Sequence, residues 1–201
     1  MQARAVKTRE KILSALERLL ETQEMEAVSI AEIAREAGVA VGSVYSHFTD
    51  KAALLPSVLE RRLDRAETWA QSLEANPPQG ANLEETVRLL AADVQAQNLR
   101  DRGPIRATVT YRRLNPSTDV PRRGDINERL AKVVERSLAY HRDEIGHQDL
   151  TKAARRTHYL MHNAFLDDII FTAPILPRDL TPGPDEKLDI LVAMLCGYLR
   201  G

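Results

Sequence analysis

Between Ser29 and Lys51 the chain reads SIAEIAREAGVAVGSVYSHFTDK, and few folds accommodate such a segment. Ser29 and Glu32 form S-x-x-E, a capping box in which each side chain accepts the free backbone N–H at the other's position where a helix begins. Ile30, Ile33 and Ala34 then share one face, and Gly38 follows the last periodic residue. A helix closes there in the left-handed conformation that glycine adopts without strain. A second, short helix is expected over about 41–48, with Val44 and Phe48 one turn apart to pack inward. Val41, Gly42, Ser43, Tyr45, Ser46 and His47 are left on its outer side. Before both, Ile12, Leu16, Leu19 and Leu20 recur at helical spacing from Thr8 to about Glu21. Three helices with a tight turn between the last two make a helix-turn-helix. The same pattern also suits a plain two-helix turn with Tyr45 and His47 as half-buried packing residues.

The outer side of the short helix carries hydroxyls, a phenol and an imidazole, with the Lys51 ammonium just beyond. These groups suit phosphate oxygens and base edges. The net charge of -1 over 201 residues does not advertise nucleic acid. Charge is uneven, however: Arg4, Lys7, Arg9 and Lys11 crowd the first segment against Glu10 alone. With 43% hydrophobic and 28% charged residues, the chain has material for one large or two small cores. No apolar run approaches the roughly 20 residues that span a bilayer, and MQARAVKTREK lacks the apolar segment of a secretory signal, so a cytoplasmic protein is expected. Its single cysteine, Cys196 in LVAMLCGYL, reads as a core thiol.

Helical periodicity continues to the end. From Lys51, capped by Asp50, apolar residues keep helical spacing as far as Asn76-Pro77-Pro78, with a kink expected at Pro56. Asn82 and Glu85 open another helix, which Arg102-Gly103-Pro104 interrupts near Asp101. Residues 104–114 alternate as a strand would, but a lone strand cannot satisfy its ladder, so they read as a short helix. Asn115 to Gly124 (NPSTDVPRRG) is expected to be a loop. Asp125 and Glu128 then open a helix that points Ile126, Leu130, Val133, Val134 and Leu138 inward. Two helices follow, about 150–172 and 185–199, separated by APILPRDLTPGP.

Residues 28–55 carry I-A-x-x-A-G-V, G-S-V-Y-x-H-F and D-K-x-x-L in order and at matching spacing, and so resemble the N-terminal domain of the tetracycline-repressor (TetR) family of bacterial transcription regulators. The resemblance is specific over residues 8–60. It implies an all-α protein with a helix-turn-helix DNA-binding domain, residues 1–50, and a larger helical ligand-binding and dimerisation domain, 51–201. It also implies that Tyr45, Lys51 and Ser43 hold phosphates, that His47 contacts DNA, and that Val41, Gly42 and Ser46 help to choose the sequence. Ala40 stands where the family often has Ser or Thr, leaving the recognition helix without a side-chain cap, a loss of about 1 kcal/mol. Ala52 replaces a frequent acid, which weakens helix-dipole complementarity.

The last helix is apolar on nearly every side, with Leu188, Leu191, Val192 and Leu195 on one face and Ile190, Met194 and Gly197 on another. The first of these faces is assigned to a homodimer interface. A small-molecule inducer is placed among Tyr111, Val134, His158, Met161, His162 and Phe165, which mix aromatic, sulfur and imidazole groups. His158 and His162 stand at i, i+4 without a third ligand, so no metal is expected, nor any cofactor. Asp167 and Asp168 diverge by about 100° around a helix and form no acid/base pair. No nucleophile motif or phosphate loop appears. The reading is of a ligand-responsive repressor binding palindromic operator DNA. The alternatives are a helical enzyme and a helix-turn-helix protein acting only through protein partners.

Overall fold

A computed structural model describes residues 2–116, 120–170, 177 and 181–201. Ten α-helices run in chain order among them: α1 Gln2–Leu20, α2 Ile30–Ala37, α3 Val41–Tyr45, α4 Leu55–Ala75, α5 Leu83–Arg100, α6 Arg102–Leu114, α7 Val120–Ala139, α8 Leu150–Ala164, α9 Asp167–Ile170 and α10 Pro184–Arg200. No strand occurs among the described residues, so the fold is all-α. Residues 117–119 of the expected loop, most of APILPRDLTPGP, the side chains of Asp167 and Asp168, and the expected helix end at Thr172 lie outside the described residues.

By packing, the chain forms two compact units. The first is Met1–Arg65 with Arg100–Asp119, the second Ala66–Leu99 with Val120–Gly201, so a boundary at residue 50 falls inside the first. In the first unit Ile12, Leu13, Leu16 and Leu20 of α1 pack with Ile33, Val44, Phe48, Leu54 and Val58, and Ala107 of α6 joins them. Arg65 reaches both Glu17 of α1 (3.0 Å) and Asp101 before α6 (2.9 Å). Burial works against its charge, and the two carboxylates outweigh it and raise its pKa.

In the second unit α7 and α8 lie antiparallel. Glu128 pairs with Arg155 at 2.7 Å, and the Thr151 hydroxyl donates to Glu135 at 2.6 Å. Arg129 makes a bidentate pair with Glu74. The apolar cluster gathers Leu83, Val87, Ala91, Leu138, Ala154, Met161, Val192, Leu195 and Leu199.

Three boundaries depart from expectation, each through a proline. Ala52–Leu54 is a 3-10 turn capped by Asp50, whose carboxylate accepts the Ala53 N–H at 2.8 Å. The α-helix therefore begins only at Leu55, and Pro56 occupies its first turn, where the missing donor has no carbonyl to meet. Pro104 likewise lies in the first turn of α6, which absorbs Arg102 and Gly103. Pro121 lies in the first turn of α7, so residues 120–124 are helical rather than loop. Asp125 and Glu128 are interior residues of that helix, not its cap.

Candidate nucleic-acid interface

The local chemistry of Ser29–Lys51 builds a platform with one exposed edge. Ser29 Oγ accepts the Glu32 N–H at 3.2 Å while Glu32 Oε2 accepts the Ser29 N–H at 2.8 Å, closing the capping box. The Ser29 hydroxyl and backbone hold the Glu32 carboxyl below the usual carboxylate range. Gly38 takes φ 65°, ψ 40°, and its N–H caps α2. The left-handed residue reverses the chain within one step, so α3 starts at once. Ala40 supplies no side-chain cap, and the first turn of α3 is closed by the backbone alone, Ser43 N–H to Ala40 C=O at 2.8 Å.

Val44 (0% exposed) and Phe48 (6%) anchor α3 in the first core. The Arg9 guanidinium sits over the Phe48 ring, 5.4 Å from its centroid. On the other side Val41, Gly42, Tyr45 and Ser46 are exposed and Ser43 and His47 half-buried. Tyr45 is 54% exposed, hardly a packing residue. A Cβ built at Gly42 would meet nothing within 4 Å, so the space beside it is open. The Ser46 hydroxyl donates to the Ser43 carbonyl at 2.8 Å and keeps its lone pairs outward. Arg4, Lys7 and Lys11 are exposed along α1. Hydroxyl, phenol, imidazole and backbone thus form one face of a helix held rigidly from behind.

Lys51, expected to hold a phosphate, is engaged with the protein's own backbone. Its ammonium donates to the carbonyls of Met25 (2.9 Å), Glu26 (2.9 Å) and Val28 (3.1 Å), which uses all three donors. It ties the turn before α2 to the approach of α4. Replacing Lys51 with Met is expected to lower stability by about 1–3 kcal/mol in urea unfolding, because charge-assisted bonds to carbonyls are lost. A phosphate contact would instead lower the salt slope of DNA binding by about one unit with stability unchanged.

The expected ligand residues divide between the units. Tyr111, half-buried on α6, belongs to the first. The others belong to the second, where Val134, Met161 and Phe165 are part of its apolar cluster and His162 is half-buried. His158 is 7% exposed, with Nε2 3.3 Å from Asn127 Oδ1 and its ring stacked 6.2 Å from that of His162. Burial pushes its pKa down to about 4, so near neutral pH the imidazole is uncharged.

The face assigned to a dimer is occupied within the protomer. Leu191, Val192 and Leu195 are at most 8% exposed and belong to the protomer's own core, with Leu188 packed against it. A short amphipathic helix buries its most continuous apolar stripe at home first. The outward stripe of α10 is Ile190, Ala193, Met194 and Gly197, at i, i+3, i+4 and i+7. Met194 is 67% exposed, and α8, which packs on α10, exposes Tyr159 (66%) and Leu160 (43%).

Among the described residues no group of His, Cys, Asp and Glu is arranged to hold a metal ion, and no helix is long and apolar enough to cross a membrane. One cluster has the outline of a hydrolytic triad: Thr86 Oγ1 lies 2.8 Å from His141 Nε2, and His141 Nδ1 3.4 Å from Glu144 Oε1. Thr86 is wholly buried, its oxygen accepts the Gly80 N–H at 2.8 Å, and Glu144 also accepts the Leu83 N–H. No substrate reaches such a hydroxyl; the cluster fixes the turn before α5.

Residues 12–58 match the model of the family described as bacterial regulatory proteins, tetR family. The chain is 34% identical over 93 residues to the HTH-type transcriptional repressor KstR of Rhodococcus jostii (strain RHA1), covering 46% of this chain and 42% of that one. The chain thus spans less than half the length of this curated relative. Among solved structures, a TetR-family regulator from Mesorhizobium loti superposes with a TM-score of 0.64 at 20% identity over 98% of this chain and 96% of that one. A transcriptional regulator from Saccharomonospora viridis, in complex with choline, gives 0.64 at 19% identity over 94% of each. At these identities the structural likeness establishes the fold.

Proposed function

We propose that the chain is a transcriptional repressor of the TetR type that binds palindromic operator DNA as a homodimer and releases it when a small molecule binds, a reading supported by the match of residues 12–58 to that family's model. The observation that carries the reading is the outer face of α3. Val41, Gly42, Tyr45 and Ser46 are exposed on a helix anchored by Val44 and Phe48, with Ser43 and His47 beside them. Such a face enters a major groove, where Tyr45 and Ser43 grip phosphates while Ser46 and His47 read base edges. The functional division follows, with the helix-turn-helix reading DNA and the remaining helices sensing and pairing.

A second copy of the chain covers the outward stripe of α10. Ala193 and Gly197 allow a facing helix to come close, and Ile190 and Met194 supply apolar area. Two reading heads about one DNA turn apart, roughly 34–36 Å, then require a palindrome. The inducer contacts are assigned to Val134, His158, Met161, His162 and Phe165 in the second unit, with Tyr111 kept as a residue of the first. Function here is binding, not catalysis.

Selection of duplexes from a random pool tests the reading. Tyr45→Phe is expected to weaken binding about three- to tenfold on every duplex alike, whereas Ser46→Ala and His47→Ala change which sequences are recovered. Recovery of the same site by all three variants would remove base reading from Ser46 and His47, and a wild-type protein that enriches no duplex would remove the DNA-binding reading as a whole.

A further inference from the structure

Residues 21–29, between α1 and α2, form no regular helix, so carbonyls there that no backbone N–H serves need partners from elsewhere. Two cations provide them. Lys51 serves the carbonyls of Met25, Glu26 and Val28. Arg106 of α6 serves the earlier end: Nη2 donates to the Leu20 carbonyl at 2.8 Å and the Gln23 carbonyl at 3.1 Å, and Nε lies 3.0 Å from Glu24 Oε1. The Arg106 side chain is 17% exposed, too enclosed for a solvent ion pair. Its charge lies at the C-terminal end of α1, where the helix dipole favours a cation. Gly103, one turn earlier on α6, makes this approach feasible, because a Cβ there would fall 2.7 Å from the Leu20 carbonyl oxygen.

The connector's course sets where Ser29 caps α2, and α2 carries α3 through the fixed turn at Gly38. We propose that Arg106 is a positioning residue for the reading head: its fork clamps the α1–α2 connector and thereby holds α3 in the orientation that reads DNA. The proposal rests on the DNA-binding role of α3. It also gives α6 a task within the first unit, since Arg106 ties that helix to the connector at Leu20–Glu24.

The test uses the full-length protein and a duplex selected with the wild type. Arg106→Gln is expected to weaken binding to that duplex about tenfold at a temperature well below its melting point, with the salt slope unchanged because no phosphate contact is lost. Arg106→Lys keeps the charge without the fork and is expected to lose about threefold. Amide exchange at Ala27 and Val28, whose N–H groups donate to the Glu24 carbonyl, should quicken about tenfold in Arg106→Gln. Wild-type affinity in both variants would overturn the proposal, as would a salt slope reduced by one unit, which marks a phosphate contact. Should Arg106→Gln fail to fold, Arg106→Lys carries the test alone. If the wild type binds no duplex, the DNA reading fails, and exchange at Ala27 and Val28 decides the clamp by itself.

Discussion

Leu195→Asp is expected to unfold the second unit, whereas Met194→Asp, at the adjacent position, is expected to leave the fold intact and separate the proposed dimer. Leu195 is 1% exposed within the apolar cluster, so a carboxylate there is buried without a partner. The cost is about 3–5 kcal/mol, a large part of the stability of an ordinary domain. Met194 is 67% exposed in the single chain, and a surface substitution of that kind changes monomer stability by about 0.5 kcal/mol at most. In a symmetric pair of α10 helices the same change buries two carboxylates across the axis. Circular dichroism on heating and sedimentation at micromolar concentration separate the two effects. A Met194→Asp protein that stays dimeric with wild-type affinity would take the outward stripe out of the interface, and a cooperatively folded Leu195→Asp would contradict the core.

The second large effect concerns pH. Desolvation lowers the His158 pKa to about 4, while an unfolded imidazole titrates near 6.5. Above pH 6.5 both states are neutral and the full stability is present. As pH falls the unfolded state binds its proton first, so stability is lost between about 6.5 and 4, by roughly 2 kcal/mol at pH 5 and roughly 3 kcal/mol in full. His158→Gln retains an N–H for Asn127 and removes the titration. Urea unfolding at pH 7 and pH 5 should therefore show the parent losing about 2 kcal/mol more than the variant. Parallel losses would mean that His158 does not stay neutral in the folded protein.

Much of the local chemistry was legible in the sequence, although the helix start expected at Asp125 and Glu128 was not one. The Ser29–Glu32 box, the left-handed Gly38, the uncapped Ala40 and the Asp50 cap each depend on residues within a few positions of one another, and the structure has them all. The inward Val44 and Phe48 and the outward face of α3 follow from helical period alone. Prolines were the weak point, since Pro56 read as a kink, Pro104 as a break and Pro121 as part of a loop when each sits in a first turn. Where an apolar helix has two candidate faces, as α10 has, period cannot say which the protomer keeps for itself. Long-range cations were illegible for a different reason. Neither the Lys51 contacts, 23 to 26 residues distant, nor those of Arg106, more than 80 residues distant, leave a local signal.

Because α6 completes the first unit, the order of synthesis matters to that unit's maturation. Ribosomes make α1 to α3 early, yet Arg106 and Ala107 arrive only after residues 66–99 have been added. At roughly 5–20 residues per second this is a delay of about 2–7 s. During it, the Leu20 and Gln23 carbonyls rely on water, and the apolar side of α1 opposite Ala107 stays uncovered. The nascent helix-turn-helix is therefore an unfinished structure, and a transcript truncated after Arg65 encodes one without the α6 that completes its unit.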